Sequence, residues 1–108
     1  MLTIKAFSLR KLSKDKMTYE YPTVISYSKD DKVYYVDFPD GSGCFTDGQT
    51  LREALDNAED ALNTMLSYME EQGRTMPVPS DINSIKLGSG EIAALVKTDT
   101  ASYSQIAV

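Results

Sequence analysis

From Leu51 to Met69 apolar residues recur at a spacing that only a helix turns to one side. Leu51, Ala54, Leu55, Ala58, Ala61, Leu62, Met65, Leu66 and Met69 fall at i, i+3, i+4 and i+7. The stripe predicts an amphipathic helix with one face to bury, so the fold must supply a second layer for it to lie on. Thr50 and Glu53 stand at the spacing of a capping box, in which the hydroxyl takes an N–H of the first turn and the carboxylate reaches back. Gly73 marks the stop. Run from Leu51 to Gln72, the helix is roughly 33 Å long, enough to cross a three- or four-stranded sheet diagonally. Met65 and Met69 share the stripe with the leucines and read as core rather than as an adaptable binding surface.

The second layer is written on both sides of the helix. Residues 19–27, YEYPTVISY, are rich in aromatic and β-branched residues and predict a strand, with Pro22 restricting it to a sheet edge or to its own opening residues. Ser28, Lys29, Asp30, Asp31 and Lys32 make a turn. Residues 33–38 follow with Tyr34, Val36 and Phe38 on one face and Val33, Tyr35 and Asp37 on the other, so the two runs predict a hairpin. The turn formers of residues 39–43 interrupt the sheet, and residues 44–46 give a short third strand closed by Asp47 and Gly48. After the helix, Pro77 and Pro79 impose an extended stretch. Residues 92–97, IAALVK, are apolar on both alternating faces and predict a strand covered on both sides, in part by a second copy of the chain. The expected fold class is α+β, an antiparallel sheet with one long helix packed across it in the order βββαβ.

The 108 residues fit one compact domain. They include no histidine and one cysteine, which removes Cys/His zinc sites, Ser-His-Asp triads, Cys-His pairs and histidine pH switching. Cys44 has no partner for an intrachain disulfide and reads as a small buried hydrophobe. No apolar run approaches the roughly 20 residues that span a bilayer, and the opening residues lack the apolar stretch of a secretory signal, so a cytoplasmic, non-membrane protein is expected.

The formal charge of -5 is unevenly spread. Residues 1–16 carry Lys5, Arg10, Lys11, Lys14 and Lys16 against Asp15. The remainder sets 15 acidic residues against 6 basic ones. Such a body repels nucleic-acid phosphates and suits a basic partner, so direct nucleic-acid binding by this chain is not expected. Residues 1–18 form a basic extension, either native or the product of a misassigned start upstream of Met17.

Sites for chemistry are few. The run Gly88-Ser89-Gly90-Glu91-Ile92-Ala93 imitates a dinucleotide glycine pattern, but it precedes a strand instead of opening a helix, and so reads as a turn. Asp30, Asp31, Asp37, Asp40 and Asp47 are oxygen donors of the type a hard cation takes, yet their order does not match a calcium loop. No metal and no cofactor is expected. Serine and threonine have no histidine base, and Lys97 reads as a strand end reaching water. Enzyme activity is therefore disfavoured by subtraction.

Residues 21–79 resemble the HicB family of antitoxins. The opening strand YPTVISY, the stretch YYVDFPD (residues 34–40), the Gly43-Cys44 step, the capping sequence Thr50, Glu53, Ala54, the long helix and the exit Met76-Pro77-Val78-Pro79-Ser80 carry the likeness in order. The resemblance implies a partial ribonuclease-H-like fold over residues 19–98. It also implies a non-enzymatic role: binding and neutralising a small basic HicA-type toxin that cleaves mRNA. Candidate contacts are Asp30, Asp31, Tyr35, Asp37, Asp40 and Asp47, with Lys29 in the same turn, in a protein expected to be a homodimer or higher homo-oligomer. Two features depart from the family. Residues 99–108 make a short tail without room for a DNA-binding module, and Gly41-Ser42 stands where a Leu-Pro pair is usual, from which a looser turn is expected. Two other readings stay open: an orphan HicB-like interaction or ligand-binding module without a toxin, and a residual carboxylate-metal nuclease. The nuclease would need three or four acidic side chains converging at one end of the sheet.

Overall fold

The computed structural model describes residues 18–100; the basic stretch of residues 1–16 and residues 101–108 lie outside them. Four strands, Thr18–Ser28 (β1), Val33–Asp37 (β2), Phe45–Gly48 (β3) and Ile92–Asp99 (β4), and one long helix, Leu51–Glu71 (α1), give the expected order βββαβ. The strands form one antiparallel sheet in the order β3-β2-β1-β4, and α1 lies across one face of it.

The sequence signals act locally as their chemistry requires. Thr50 caps α1, its hydroxyl accepting from Glu53 N–H at 3.0 Å. The Glu53 carboxylate reaches one residue further back than a capping box asks and accepts from Gln49 N–H at 2.6 Å. At the other end Gly73 takes φ 66°. Arg74 N–H then bonds Met69 O and Gly73 N–H bonds Glu70 O, a Schellman closure that uses two otherwise orphaned carbonyls.

Ala54, Ala58, Leu62 and Leu66 of α1 meet Tyr21, Ile25, Val36, Phe38, Cys44 and Val96, and all are buried. Full burial of a leucine such as Leu62 or Leu66 contributes about 1.5–3 kcal/mol. Asn63 is also buried although it lies off the apolar stripe. Its amide donates to Thr98 Oγ1 at 2.9 Å and to Asp99 O at 3.3 Å, and its oxygen accepts from Ser67, so a satisfied polar group ties α1 to β4.

Three expectations need correction. β1 is an interior strand in the sheet order, and Pro22 is fifth of its eleven residues, not among the opening ones. β1 pairs with β4 over Thr18 to Ile25 but with β2 only from Val24 onward, so no β2 residue stands beside Pro22 to require its missing N–H. β4, expected to be covered on both sides and in part by a second copy, is a sheet edge among the described residues of the single chain. Only its Val96 and Thr98 side is buried, and Leu95 stays exposed. The Gly41-Ser42 turn is not loose: Gly41 N–H bonds Phe38 O, Cys44 N–H bonds Gly41 O and Phe38 N–H bonds Cys44 O. Gly41 itself leaves space that a β-carbon would take from Met65 and Cys44.

Between α1 and β4 the chain forms a strap, residues 74–91, with one short 3-10 turn, Ile82–Ser84. Pro77 O accepts from the Tyr21 hydroxyl, and Met76 packs against the core. The glycine run is a turn into β4, with Gly88 N–H donating to Glu91 Oε1 at 2.6 Å.

Candidate partner-binding surface

In the β2–β3 ladder Tyr35 lies opposite Asp47 and Asp37 opposite Phe45. Opposed residues of an antiparallel pair share a face, and Val36, between Tyr35 and Asp37, is buried under α1. The four side chains therefore stand together on the outer face, away from the helix. The hairpin turn brings a third carboxylate to them: the Tyr35 hydroxyl donates to Asp31 Oδ2 at 2.6 Å. That bond pushes the Tyr35 phenol above its ordinary range, with some burial and the charges of Asp31 and Asp47 adding to it. Ser28 fixes the turn, accepting from Asp31 N–H through its hydroxyl and from Lys32 N–H through its carbonyl. Lys32 closes it with a left-handed φ of 58°.

Phe45, 68% exposed, is the most exposed aromatic among the described residues. Beside it runs a shallow cleft lined by Val24, Ser26, Ile85 and Lys86, where the strap lies along the outer face. An uncovered aromatic with Asp37 across the ladder and Asp47 two residues along its own strand, next to Tyr35 and its partner Asp31, combines an apolar anchor with an acidic rim, the anatomy of a surface that binds a basic protein.

Of the six candidate contacts, Asp31, Tyr35, Asp37 and Asp47 are brought onto this surface, and Asp30 sits exposed at the tip of the adjoining turn. Asp40 is committed elsewhere. Its two carboxylate oxygens accept from Ser80, at 2.8 Å from N–H and 2.6 Å from the hydroxyl, which fastens the strap to the loop before β3. Phe45 was not among the candidates. The signal was the alternation Cys44, Phe45, Thr46, Asp47: with Cys44 inward, Phe45 must share the outward face with Asp47.

Cys44 is free and buried, and burial, with Asp37 adding, pushes its thiol up, which disfavours the nucleophilic thiolate. Although three aspartates share the surface, no group of three or more acidic or thiol side chains among the described residues is placed to hold a metal ion. The convergence that a carboxylate-metal nuclease requires is thus missing from them. No helix among the described residues is long and apolar enough to cross a membrane.

The family described as a HicB-like antitoxin of bacterial toxin-antitoxin systems matches residues 21–107. The chain belongs to this family. Antitoxin HicB of Escherichia coli (strain K12) is 39% identical over 51 residues, 47% of this chain and 37% of that protein. The chain therefore matches little more than a third of that antitoxin's length. The UPF0150 protein Ta0767 of Thermoplasma acidophilum is 34% identical over 55 residues, 51% of this chain and 80% of that protein. Among solved structures, a chain of a toxin-antitoxin complex from Streptococcus pneumoniae superposes with a TM-score of 0.74 at 26% identity, covering 81% of this chain and 73% of the other. A chain of the HicA3 and HicB3 toxin-antitoxin complex gives 0.61 at 26% identity, over 75% and 99%. HicB-like membership points to a binding role in place of catalysis.

Proposed function

We propose that this chain is an antitoxin domain that binds and neutralises a small basic HicA-type toxin, and that it does so through the outer face of β2 and β3. The observation that carries the reading is the joining of HicB-like membership to an exposed Phe45 on one face with Asp37, Asp47 and the Tyr35–Asp31 pair. A toxin surface built to hold RNA phosphates is basic. Carboxylates attract it for the same reason phosphates do, speeding encounter and selecting the partner, while Phe45 and Tyr35 supply the desolvated centre. Asp30 extends the acidic rim. Asp40 acts at one remove, by holding the strap that borders the cleft. In the same proposal the chain works in the cytoplasm as a homo-oligomer, does not itself touch nucleic acid, and has no catalytic step.

The test is co-expression with the basic protein encoded beside it. The natural chain should rescue growth and co-purify with the toxin. Phe45→Ala combined with Asp47→Lys should weaken binding at least about 100-fold, the loss expected from removing one anchor and reversing one rim charge, with an unchanged melting temperature. A natural chain that neither rescues growth nor binds would leave an orphan HicB-like module as the better reading.

A further inference from the structure

On the outer face the register of β2 and β3 sets aromatics and carboxylates in alternation. Tyr35 stands opposite Asp47 and Asp37 opposite Phe45, so the four side chains form a square. Each aromatic has one acid across the ladder and another two residues along its own strand. Opposed β-carbons lie about 5 Å apart and diagonal ones about 7–8 Å, so a group resting on Phe45 has a carboxylate on either side of it. The Tyr35 hydroxyl is held by Asp31, which fixes that ring as one wall. Asp37 and Asp47 are not so committed: neither carboxylate has a hydrogen bond or an ion pair among the described residues. Lys86 of the strap lines the same cleft as Tyr35, Asp37 and Phe45, yet it pairs with neither acid. The square therefore presents two unpaired negative charges beside an exposed ring face.

Charge calls for a cation here, and shape decides which one. An ammonium is a compact, strongly hydrated point charge that meets either a carboxylate or a ring face. A guanidinium is flat and weakly hydrated, with N–H groups around its rim and both faces free. It can donate edgewise to carboxylates on two sides while one face lies on an aromatic. We propose that this square seats one arginine side chain of the basic toxin, the guanidinium stacked on Phe45 and donating to Asp37 and Asp47. A lysine in the same place gains the charge and forgoes the stacking. The inference rests on the reading of this face as the toxin-binding surface and adds to it the kind of side chain that is recognised.

The test is an NMR titration of the full chain with two charge-matched peptides, acetylated and amidated triarginine and trilysine. The natural chain should bind triarginine about fivefold more tightly, with the largest amide shifts at Tyr35, Asp37, Phe45 and Asp47. Phe45→Leu keeps an apolar side chain and should bring the two affinities to within about 1.5-fold of each other. Asp30→Asn, outside the square, should weaken both peptides alike and keep the preference. Circular dichroism checks that each variant is folded. In the toxin complex, arginines of the toxin replaced singly by lysine should include one that costs about tenfold against the natural chain and little against Phe45→Leu. Equal binding of the two peptides overturns the proposal, as does a preference that survives Phe45→Leu. A toxin that binds with no arginine coupled to Phe45 also overturns it and leaves the proposed function standing. A chain that prefers triarginine but does not bind the toxin overturns the proposed function instead.

Discussion

The inner and outer faces of the sheet are drawn from the same strands and alternate residue by residue, yet they do different work. Inward, Tyr21, Ile25, Val36 and Val96 are all buried against Ala54, Ala58, Leu62 and Leu66. Outward, the strap covers part of the surface and leaves Tyr35, Phe45 and Leu95 exposed. A shift of a single residue along β2 or β3 thus moves a side chain from holding the domain together to facing a partner. The two faces should also answer differently to mutation.

The largest contrast is Leu62→Ala against Phe45→Ala. The first opens a cavity under α1 and should cost about 2–5 kcal/mol, while the second should stay within about 0.5 kcal/mol, both measured by urea unfolding. Equal losses would erase the distinction. Next is Asn63→Ala, which removes the amide's two donated bonds to Thr98 and Asp99 and should cost about 1–3 kcal/mol, with hydrogen exchange rising first in β4.

A pH titration sharpens the same contrast. Burial comes first among the causes that raise the Tyr19 and Tyr21 phenols, with the bond to Glu70 following for Tyr19 and the charge of Asp40 for Tyr21. The folded state therefore favours the neutral phenol. That contribution is fully present below the unfolded value of about 10 and is lost as pH climbs through the raised folded-state values. Tyr21→Phe should flatten the fall of melting temperature above about pH 10, although it also gives up the bond to Pro77 O. Tyr35→Phe should flatten the fall less, because its phenol is raised first by an exposed bond to Asp31 that solvent screens. The smallest effect belongs to the hairpin turn: Lys32→Gly relieves a left-handed φ of 58° and should raise stability by about 0.5 kcal/mol.

Much of this architecture was legible because it is periodic. The stripe of α1, its Thr50 cap and its Gly73 stop are local signals with local physics, and the alternation of residues 33–38 named the inward face correctly. The failures were of context. Pro22 sits inside β1 because β2 happens to end before it, and sequence spacing says nothing of where a neighbour ends. Residues 92–97 are apolar on both faces in a strand that turned out to be an edge, since strand order depends on how the sheet closes. At the candidate surface the aspartates were found by their charge. Phe45 was passed over because one aromatic in a three-residue run looks like any core residue until its register is known. Asp40 looked like a rim charge, but the strap that occupies it comes 40 residues later.

The unequal pairing of β1 has a consequence for synthesis. Its second half, from Val24, finds β2 a few residues on. Its first half, Thr18 to Thr23, pairs only with β4, made some 70 residues later, after the helix and the strap. A ribosome that stops before Ile92 releases a hairpin and a helix with half a strand unmatched and the Asn63 amide without Thr98. Completion of this sheet therefore reports that translation has passed Asp99.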